Sequence, residues 1–161
     1  MELNDFALAR AIHVLAVLLW IGGVAFVTTT LLPACRALAE PDQRIALFET
    51  LEHRFAWQAR ITTVAAGASG FWMAHRLDLW WRFAAGAEWW WMHTMVGLWG
   101  VFTLMLFVLE PFVLRRWFAE QAQRDPERVF ARIERMHRVL LALSLATVAG
   151  AVAGSHGGWG F

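Results

Sequence analysis

The feature of this sequence that most limits its possible folds is a series of four long apolar runs. They cover about residues 6–32, 55–77, 89–114 and 139–156, and each is close to the ~20 residues that a helix needs to cross a bilayer. Only helices and closed barrels satisfy the backbone inside hydrocarbon, and no run alternates with the period of two that a barrel strand needs. The sequence therefore predicts an all-α integral membrane four-helix bundle, in one domain over residues 1–161.

The composition agrees with a protein embedded in a lipid bilayer. The chain is 59% hydrophobic and carries 11 Trp and 12 Phe, which is unusual for a soluble domain of this size. The formal net charge of +1 provides no field for nucleic acid, so we expect no such partner. The first run is too long for the apolar region of a signal peptide, and no A-x-A-like site follows it, so we expect it to be retained.

The arginines predict an orientation. Eleven of the 14 lie between Pro33 and Arg60 or between Arg115 and Arg138. Because positive residues concentrate on the cytoplasmic side, both long loops should be cytoplasmic and both termini external, as in a multi-pass protein of the bacterial inner membrane. Within these loops, residues 40–52 and 126–136 should form short amphipathic helices on the inner surface. Glu110, at the inner end of the third run, should pair with Arg60, Arg115 or Arg116.

Two stripes of small residues predict helix contacts, because small side chains let helices approach closely in lipid. One stripe lies on the second run and the other on the fourth: Thr63, Gly67, Gly70 and Ala74, then Gly150 and Gly154. The consecutive Trp89, Trp90 and Trp91 should lie at the external interface as part of an aromatic belt that anchors the third run.

Six histidines are the most informative candidates for chemistry, because ionisable residues inside a bilayer are costly and usually functional. His13 lies roughly 10 Å along its helix from Phe6, and His93 lies roughly 7–8 Å from Glu88, at 1.5 Å per residue. Both runs enter from outside, so these two imidazoles should lie at one depth. His75 and His156 should lie nearer the outer surface, and His53 and His137 at the inner boundary.

Two imidazoles at one depth on different helices suit axial ligation of a b-type haem. Gly97 and Gly100 follow His93 on its own helix face and leave room for the macrocycle, while Trp20 follows His13. Arg10, three residues before His13, is the first candidate to pair with the haem propionates, with Arg76 or Arg82 as further candidates. A c-type attachment is excluded because the sequence has one cysteine and no C-x-x-C-H motif.

Several alternatives remain open at this point. A copper site could use the outer histidines with Met73, Met92 and Met95, since thioethers suit Cu(I). A second haem on His53 and His137 would make the protein a transmembrane electron conduit. Any of the six histidines could instead be a hydrogen-bonded structural residue. The chain could also be a non-catalytic subunit or assembly factor of a larger membrane complex or homo-oligomer.

The chain resembles a superfamily of small four-helix membrane proteins that includes HemJ-type protoporphyrinogen oxidases and the CopD copper-resistance domain, as a divergent member. The resemblance is carried by AIHVLAVLLWIGG in the first run, with His13, Trp20 and Gly23, and by RFAWQARITTVAAGASGFWM in the second. In the third, WMHTM is similar to the oxidase motif W-x-H-x-K through Trp91 and His93. The fourth, FARIERMHRVLLAL, is similar to the arginine-led last helix.

The resemblance implies a haem b protein of the inner membrane, bound through His13 and His93. It also implies electron transfer to a quinone or another respiratory-chain partner, and a possible haem-dependent oxidoreductase activity. One position departs from the oxidase pattern: Met95 stands where the motif has lysine. A cation that could hold substrate or haem carboxylates is therefore missing, so haem binding carries over from the family more securely than the oxidase reaction does.

Overall fold

A computed structural model describes residues 4–38, 40–114, 117, 120–121 and 124–155 of the chain. These residues are helical apart from short connections, with no strand among them. Three helical stretches are long and apolar enough to cross a membrane: Asp5–Arg36, Trp90–Val113 and Pro126–Ser155. The predictions of an all-α fold and of a membrane protein are therefore confirmed. The second predicted run falls almost entirely within a further long helix, Pro41–Arg76, which is not one of these three stretches.

The first of these three stretches is built from two α-helices joined by a π-helical segment. Helix α1, Asp5–Phe26, begins where the Asn4 side chain accepts a hydrogen bond from the Phe6 backbone N–H at 3.0 Å, an ordinary N-cap. The π-helical segment Val27–Leu31 leads into α2, Leu32–Arg36. The sequence prediction ended this span before Pro33. In the structure, Pro33 occupies the first turn of α2, where its missing N–H is tolerated.

The two predicted amphipathic helices are not separate elements, and this part of the prediction was wrong. Residues 40–52 are helical, but from Pro41 onward they form the first part of α3, Pro41–Arg76. Residues 126–136 similarly begin α5, Pro126–Ser155. No glycine or proline interrupts either sequence after its first residue until Gly67 and Gly150. A helix started at each proline therefore continues directly into the apolar run.

The connection from α3 to α4 is short and rich in tryptophan. It holds two short 3₁₀ turns, Trp80–Phe83 and Ala87–Trp89, and two residues with positive φ, Asp78 at 51° and Gly86 at 107°. Helix α4, Trp90–Leu104, follows and passes into a π-helical segment, Met105–Leu114, that contains Pro111. Wider π-helical turns occur often at functional sites.

Two clusters of buried apolar side chains hold the helices together. The cluster at one end joins α2 to the beginnings of α3 and α5, and its members are Val27, Leu31, Leu32, Cys35, Phe48, Val129, Phe130 and Ile133. The other cluster lies further along α1, and its members are Ala16, Trp20, Ile21, Val24, Ala66 and Phe102. We call the first end, with α2, residues 41–55 and residues 126–138, the basic end. The opposite end, with residues 77–91 and 150–155, we call the tryptophan end.

Large apolar side chains also cover the outside of the molecule. Leu18 is 64% exposed, Ile61 65% and Phe112 72%. A soluble protein rarely exposes so many apolar residues on several helices at once. These residues have the environment expected of side chains that face lipid.

Most of the small residues predicted to mark helix contacts do so, but their partners are aromatic rings. A Cβ added at Gly67 would lie 2.6 Å from the Trp99 ring, and at Gly150 it would lie 2.5 Å from the Trp90 ring. Gly154 has the same relation to Trp91, at 2.4 Å. Trp91 is therefore buried against α5, so the predicted tryptophan belt turns partly inward.

Candidate functional site

His13 lies between α1 and α3, with one ring nitrogen held by the neighbouring helix. Its Nδ1 is 2.9 Å from the Ala66 carbonyl oxygen and 3.1 Å from Ser69 Oγ. A carbonyl oxygen only accepts hydrogen bonds, so Nδ1 carries the proton and donates it. The Ser69 hydroxyl donates to the Ala65 carbonyl and can accept from His13. The neutral ring therefore presents the lone pair of Nε2.

The His13 ring packs closely against Gly70 of α3. A Cβ at Gly70 would lie 3.1 Å from His13 Cε1, so a larger residue there would crowd the ring. The combination of an Nδ1–H···O=C hydrogen bond with an Nε2 lone pair is the arrangement that metal-ligating histidines use. His13 thus has the tautomer that an axial haem ligand requires.

His93 has a different environment, on the exposed side of α4. Its Nδ1 is 3.1 Å from the Trp89 carbonyl oxygen and its Nε2 is 3.1 Å from the Phe83 carbonyl oxygen. The Phe83 ring also packs edge-on against the imidazole, with 5.4 Å between ring centroids. A neutral imidazole has one N–H and can donate to only one of these carbonyls. His93 therefore fits a ligand only once its Nε2 leaves the Phe83 carbonyl.

The two predicted ligands lie on helix faces with different surroundings: His13 on a buried face of α1 and His93 on an exposed face of α4. His13 belongs to the face of α1 that carries the buried Ala16 and Trp20. His93 belongs to the face of α4 opposite the buried Trp91 and Phe102. The bis-histidine site therefore stays a prediction, and only the His13 half has the geometry of a ligand.

The other residues predicted around the haem are also divided between the face of α4 near His93 and the neighbourhood of His13 on α1. A Cβ at Gly97 or Gly100 would meet nothing within 4 Å, so the face of α4 below His93 is open, as the prediction requires. Trp20 is buried two turns beyond His13, edge-on to Phe102 with centroids 4.8 Å apart. Arg10 is exposed on α1, one turn before His13.

Among the other two propionate candidates, Arg82 is the better placed. Arg76 is exposed in the last turn of α3. The Arg82 guanidinium lies 4.1 Å from the centroid of the Trp89 ring and 5.5 Å from that of Trp81. Its Nε and the Trp89 Nε1 are buried donors with no hydrogen-bond acceptor among the described residues. These donors lie beside the turn that carries His93.

In the described part of the chain, no group of three or more His, Cys, Asp or Glu residues is arranged to hold a metal ion. His53 and His75 are exposed on α3, and His156 lies outside the described residues. His137 is half-buried, and its Nδ1 donates to the Ile133 carbonyl at 2.9 Å. Met92, one of the proposed copper ligands, is buried beside His93.

A cavity of about 410 Å³ lies between the helices toward the basic end, and sequence analysis did not predict it. Residues from α1, α3, α5 and the π-helical segment line it, among them Trp20, Phe48, Glu110 and His137. Neither His13 nor His93 is part of its lining. The cavity is thus separate from the predicted haem ligands.

Two buried carboxylates near this end form ion pairs with arginines. Glu110 binds Arg60 at 2.8 Å, with both side chains mostly buried, so one of its three predicted partners is confirmed. Arg60 Nε also donates to the Leu106 carbonyl. Sequence analysis missed Glu134, a buried carboxylate that accepts from both Arg36 and Arg138. The spacing of four residues between Glu134 and Arg138 on one helix could have predicted their pairing.

Comparison with known proteins identifies no family for this chain. No protein-family model, no curated protein and no solved structure matches this chain.

Proposed function

We propose that this chain is a membrane-embedded b-type haem protein that acts in electron transfer or membrane-linked oxidation. One observation carries the proposal: the His13 Nδ1–H donates to Ala66 and Ser69 of α3, which directs the tautomer so that Nε2 is a free lone-pair donor. Bound haem b supplies a one-electron couple. Ala66 and Ser69 of α3 would orient the ligating ring.

In this proposal His93 would hold the haem iron together with His13. Its Nδ1–H donates to the Trp89 carbonyl, one turn earlier on α4, so Nε2, which now contacts the Phe83 carbonyl, would be the ligating atom. The open face at Gly97 and Gly100 accommodates the macrocycle. Arg10 or Arg82 pairs with the propionates, and the unpartnered Arg82 Nε favours Arg82.

We further propose that α3 is a fourth span. Its middle section exposes Ile61 at 65% and Val64 at 55%, which suits side chains in lipid. With four spans, the arginine bias puts both termini outside and the basic end in the cytoplasm of a bacterial inner-membrane protein. The HemJ and CopD resemblance agrees with this topology, while Met95 argues against the oxidase reaction.

The absorption spectrum of detergent-purified protein, oxidised and then dithionite-reduced, tests the haem proposal. We expect b-type bands that are lost in His13→Ala and in His93→Ala. Ser69→Ala keeps the ligand but removes one of its two acceptors, so it should weaken haem affinity by roughly tenfold or less.

Thr94→Ala is the matched control, because Thr94 neighbours His93 and bonds only the Trp91 carbonyl of its own helix. It should leave the spectrum unchanged. Folded protein that binds no haem would reduce His13 to a structural link between α1 and α3. Stoichiometric copper without haem bands would favour the copper-handling alternative.

A further inference from the structure

The cavity near the basic end has the size and position of a second ligand site. Its volume of about 410 Å³ is within the ~300–1,000 Å³ of ordinary small-molecule pockets. It lies where α1, α3, α5 and the π-helical segment Met105–Leu114 meet, so no single helix forms it. The side chains of each of these elements therefore leave part of the space between them unfilled.

The walls of the cavity are largely aromatic and aliphatic. Trp20, Phe48, Phe55 and Phe102 line it together with aliphatic and methionine side chains. Such walls favour a flat apolar ring system, since aromatic contacts add to the burial of apolar surface. The apolar character excludes sugars and other strongly hydrated ligands.

One wall carries a hydrogen-bond donor that lacks a partner. Trp20 is 4% exposed, and its Nε1–H is buried without an acceptor in the described part of the molecule. A buried donor without an acceptor costs about 1–3 kcal/mol. An acceptor oxygen on a ligand in the cavity would remove this cost.

Another wall presents an acceptor. His137 donates from Nδ1 to the Ile133 carbonyl at 2.9 Å, so its neutral ring keeps the lone pair of Nε2. The Phe48 ring packs edge-on against the imidazole, with centroids 5.8 Å apart, and limits its rotation. The cavity therefore combines one donor and one acceptor in an apolar setting.

The charges around the cavity select against anionic ligands. Glu49, Glu52 and Glu110 are in the lining, and none of the lining residues that the structure describes is an arginine or a lysine. The Arg60 guanidinium is already paired with Glu110. An acid such as a fatty acid, or a haem with two propionates, would face these carboxylates. This makes a second haem on His137 the weaker interpretation of the same residue.

We propose that the cavity binds a quinone or quinol, a neutral ring with oxygens that accept from Trp20 and, in the quinol, an O–H that donates to His137. The choice of a quinone over another neutral phenol rests on the proposed redox function. The binding site itself rests on the cavity, its unpartnered indole and its acidic lining.

Equilibrium binding of decylubiquinone tests the proposal, using purified protein in nanodiscs made from quinone-free phosphatidylcholine, with empty nanodiscs to subtract partition into lipid. Wild-type protein should bind about one quinone saturably. Trp20→Phe keeps the ring and removes the N–H, so its Kd should rise about 2- to 10-fold. His137→Leu should weaken binding over the same range, as a second variant in case Trp20→Phe fails to fold.

Trp72→Phe is the matched control, because Trp72 is 39% exposed and does not line the cavity. Its Kd should equal that of wild type. Quinone uptake that matches empty nanodiscs, or that is the same in both cavity variants as in wild type, would show that lipid or detergent chains fill the space and would overturn the proposal. His13→Ala should lose haem bands and keep quinone binding, which separates this proposal from the first.

Discussion

The two ends of the molecule are held together by different interactions. At the basic end, arginines pair with carboxylates around an apolar cluster, and Glu134 is buried between Arg36 and Arg138. At the tryptophan end, indole rings fill the space left by glycines, and Arg82 lies against two of those rings. The basic end is thus held by ion pairs around an apolar cluster, whereas the tryptophan end is held by the fit of rings against glycines.

The difference follows from what each end can use to specify its structure. Ion pairs direct contacts where water can solvate the outer side of each arginine, as at Arg36 and Arg138, whose side chains are more than half exposed. In lipid the hydrophobic effect no longer distinguishes one apolar contact from another, so shape fit between large and small residues takes that role. The following variants test this division, from the largest expected effect to the smallest.

The largest effect should come from removing both partners of Glu134. In Arg36→Gln/Arg138→Gln the buried carboxylate loses both cations. We expect a loss of about 3 kcal/mol in the free energy of unfolding, near the lower end for a broken buried pair because both guanidinium groups are largely exposed. Reversible unfolding in mixed micelles, followed by circular dichroism, measures the change.

Arg128→Gln is the control for that double variant. Arg128 forms an exposed pair with Asp125 at 3.7 Å, and such pairs contribute less than about 1 kcal/mol. If the control and the double variant lose equal stability, the burial of Glu134 is not what holds the basic end.

A smaller effect should follow from Gly67→Ala, at a glycine that lies between the two ends and meets Trp99 as Gly150 and Gly154 meet rings at the tryptophan end. The added Cβ would lie 2.6 Å from a ring whose Nε1 donates to the Thr63 carbonyl at 2.9 Å, so the indole cannot move without losing that hydrogen bond. Overpacking of this kind costs about 1–3 kcal/mol, which a lowered thermal midpoint in detergent would report.

Gly22→Ala provides the matched comparison on α1, because a Cβ there meets nothing within 4 Å. Since alanine favours a helix over glycine by up to about 1 kcal/mol, its midpoint should stay equal or rise. A fall equal to that of Gly67→Ala would show that glycine itself, rather than its fit to Trp99, matters.

The smallest effect should come from Arg82→Leu at the tryptophan end. It removes a cation from the faces of Trp81 and Trp89, which is worth about 0.5–1 kcal/mol at a partly exposed position. Arg82→Lys keeps the charge and should fall between wild type and the leucine variant in thermal midpoint. A leucine variant as stable as wild type would remove cation–π contacts from the account of this end.

Much of the fold could be predicted from the sequence because length and hydropathy alone identify helices in lipid. The apolar runs and the contacts of Gly67 and Gly150 follow from spacing along a helix. The pairing of Glu110 with Arg60 follows from the position of both residues at the inner ends of their runs. The merging of residues 40–52 and 126–136 into α3 and α5 was missed, because amphipathic character was interpreted as a separate surface helix when nothing in the sequence interrupts the chain there.

The candidate site was harder to predict because depth and rotation are different quantities. A rise of 1.5 Å per residue gives the depth of His13 and His93 directly. The direction in which each ring points depends on how the helix is rotated against its neighbours, and that is fixed by distant contacts such as Trp91 on Gly154 and Trp99 on Gly67. The role of Ser69 and the cavity depend on the same long-range packing.

Cys35 gives the basic end a property that the rest of the chain lacks. It is the single cysteine of the sequence, and in α2 it is fully buried within the apolar cluster of that end. A thiol reagent can therefore reach the protein only when α2 separates from α3 and α5. The rate at which the reagent labels the native chain thus reports local opening of the basic end. The measurement needs no engineered probe, and the tryptophan end contributes nothing to it.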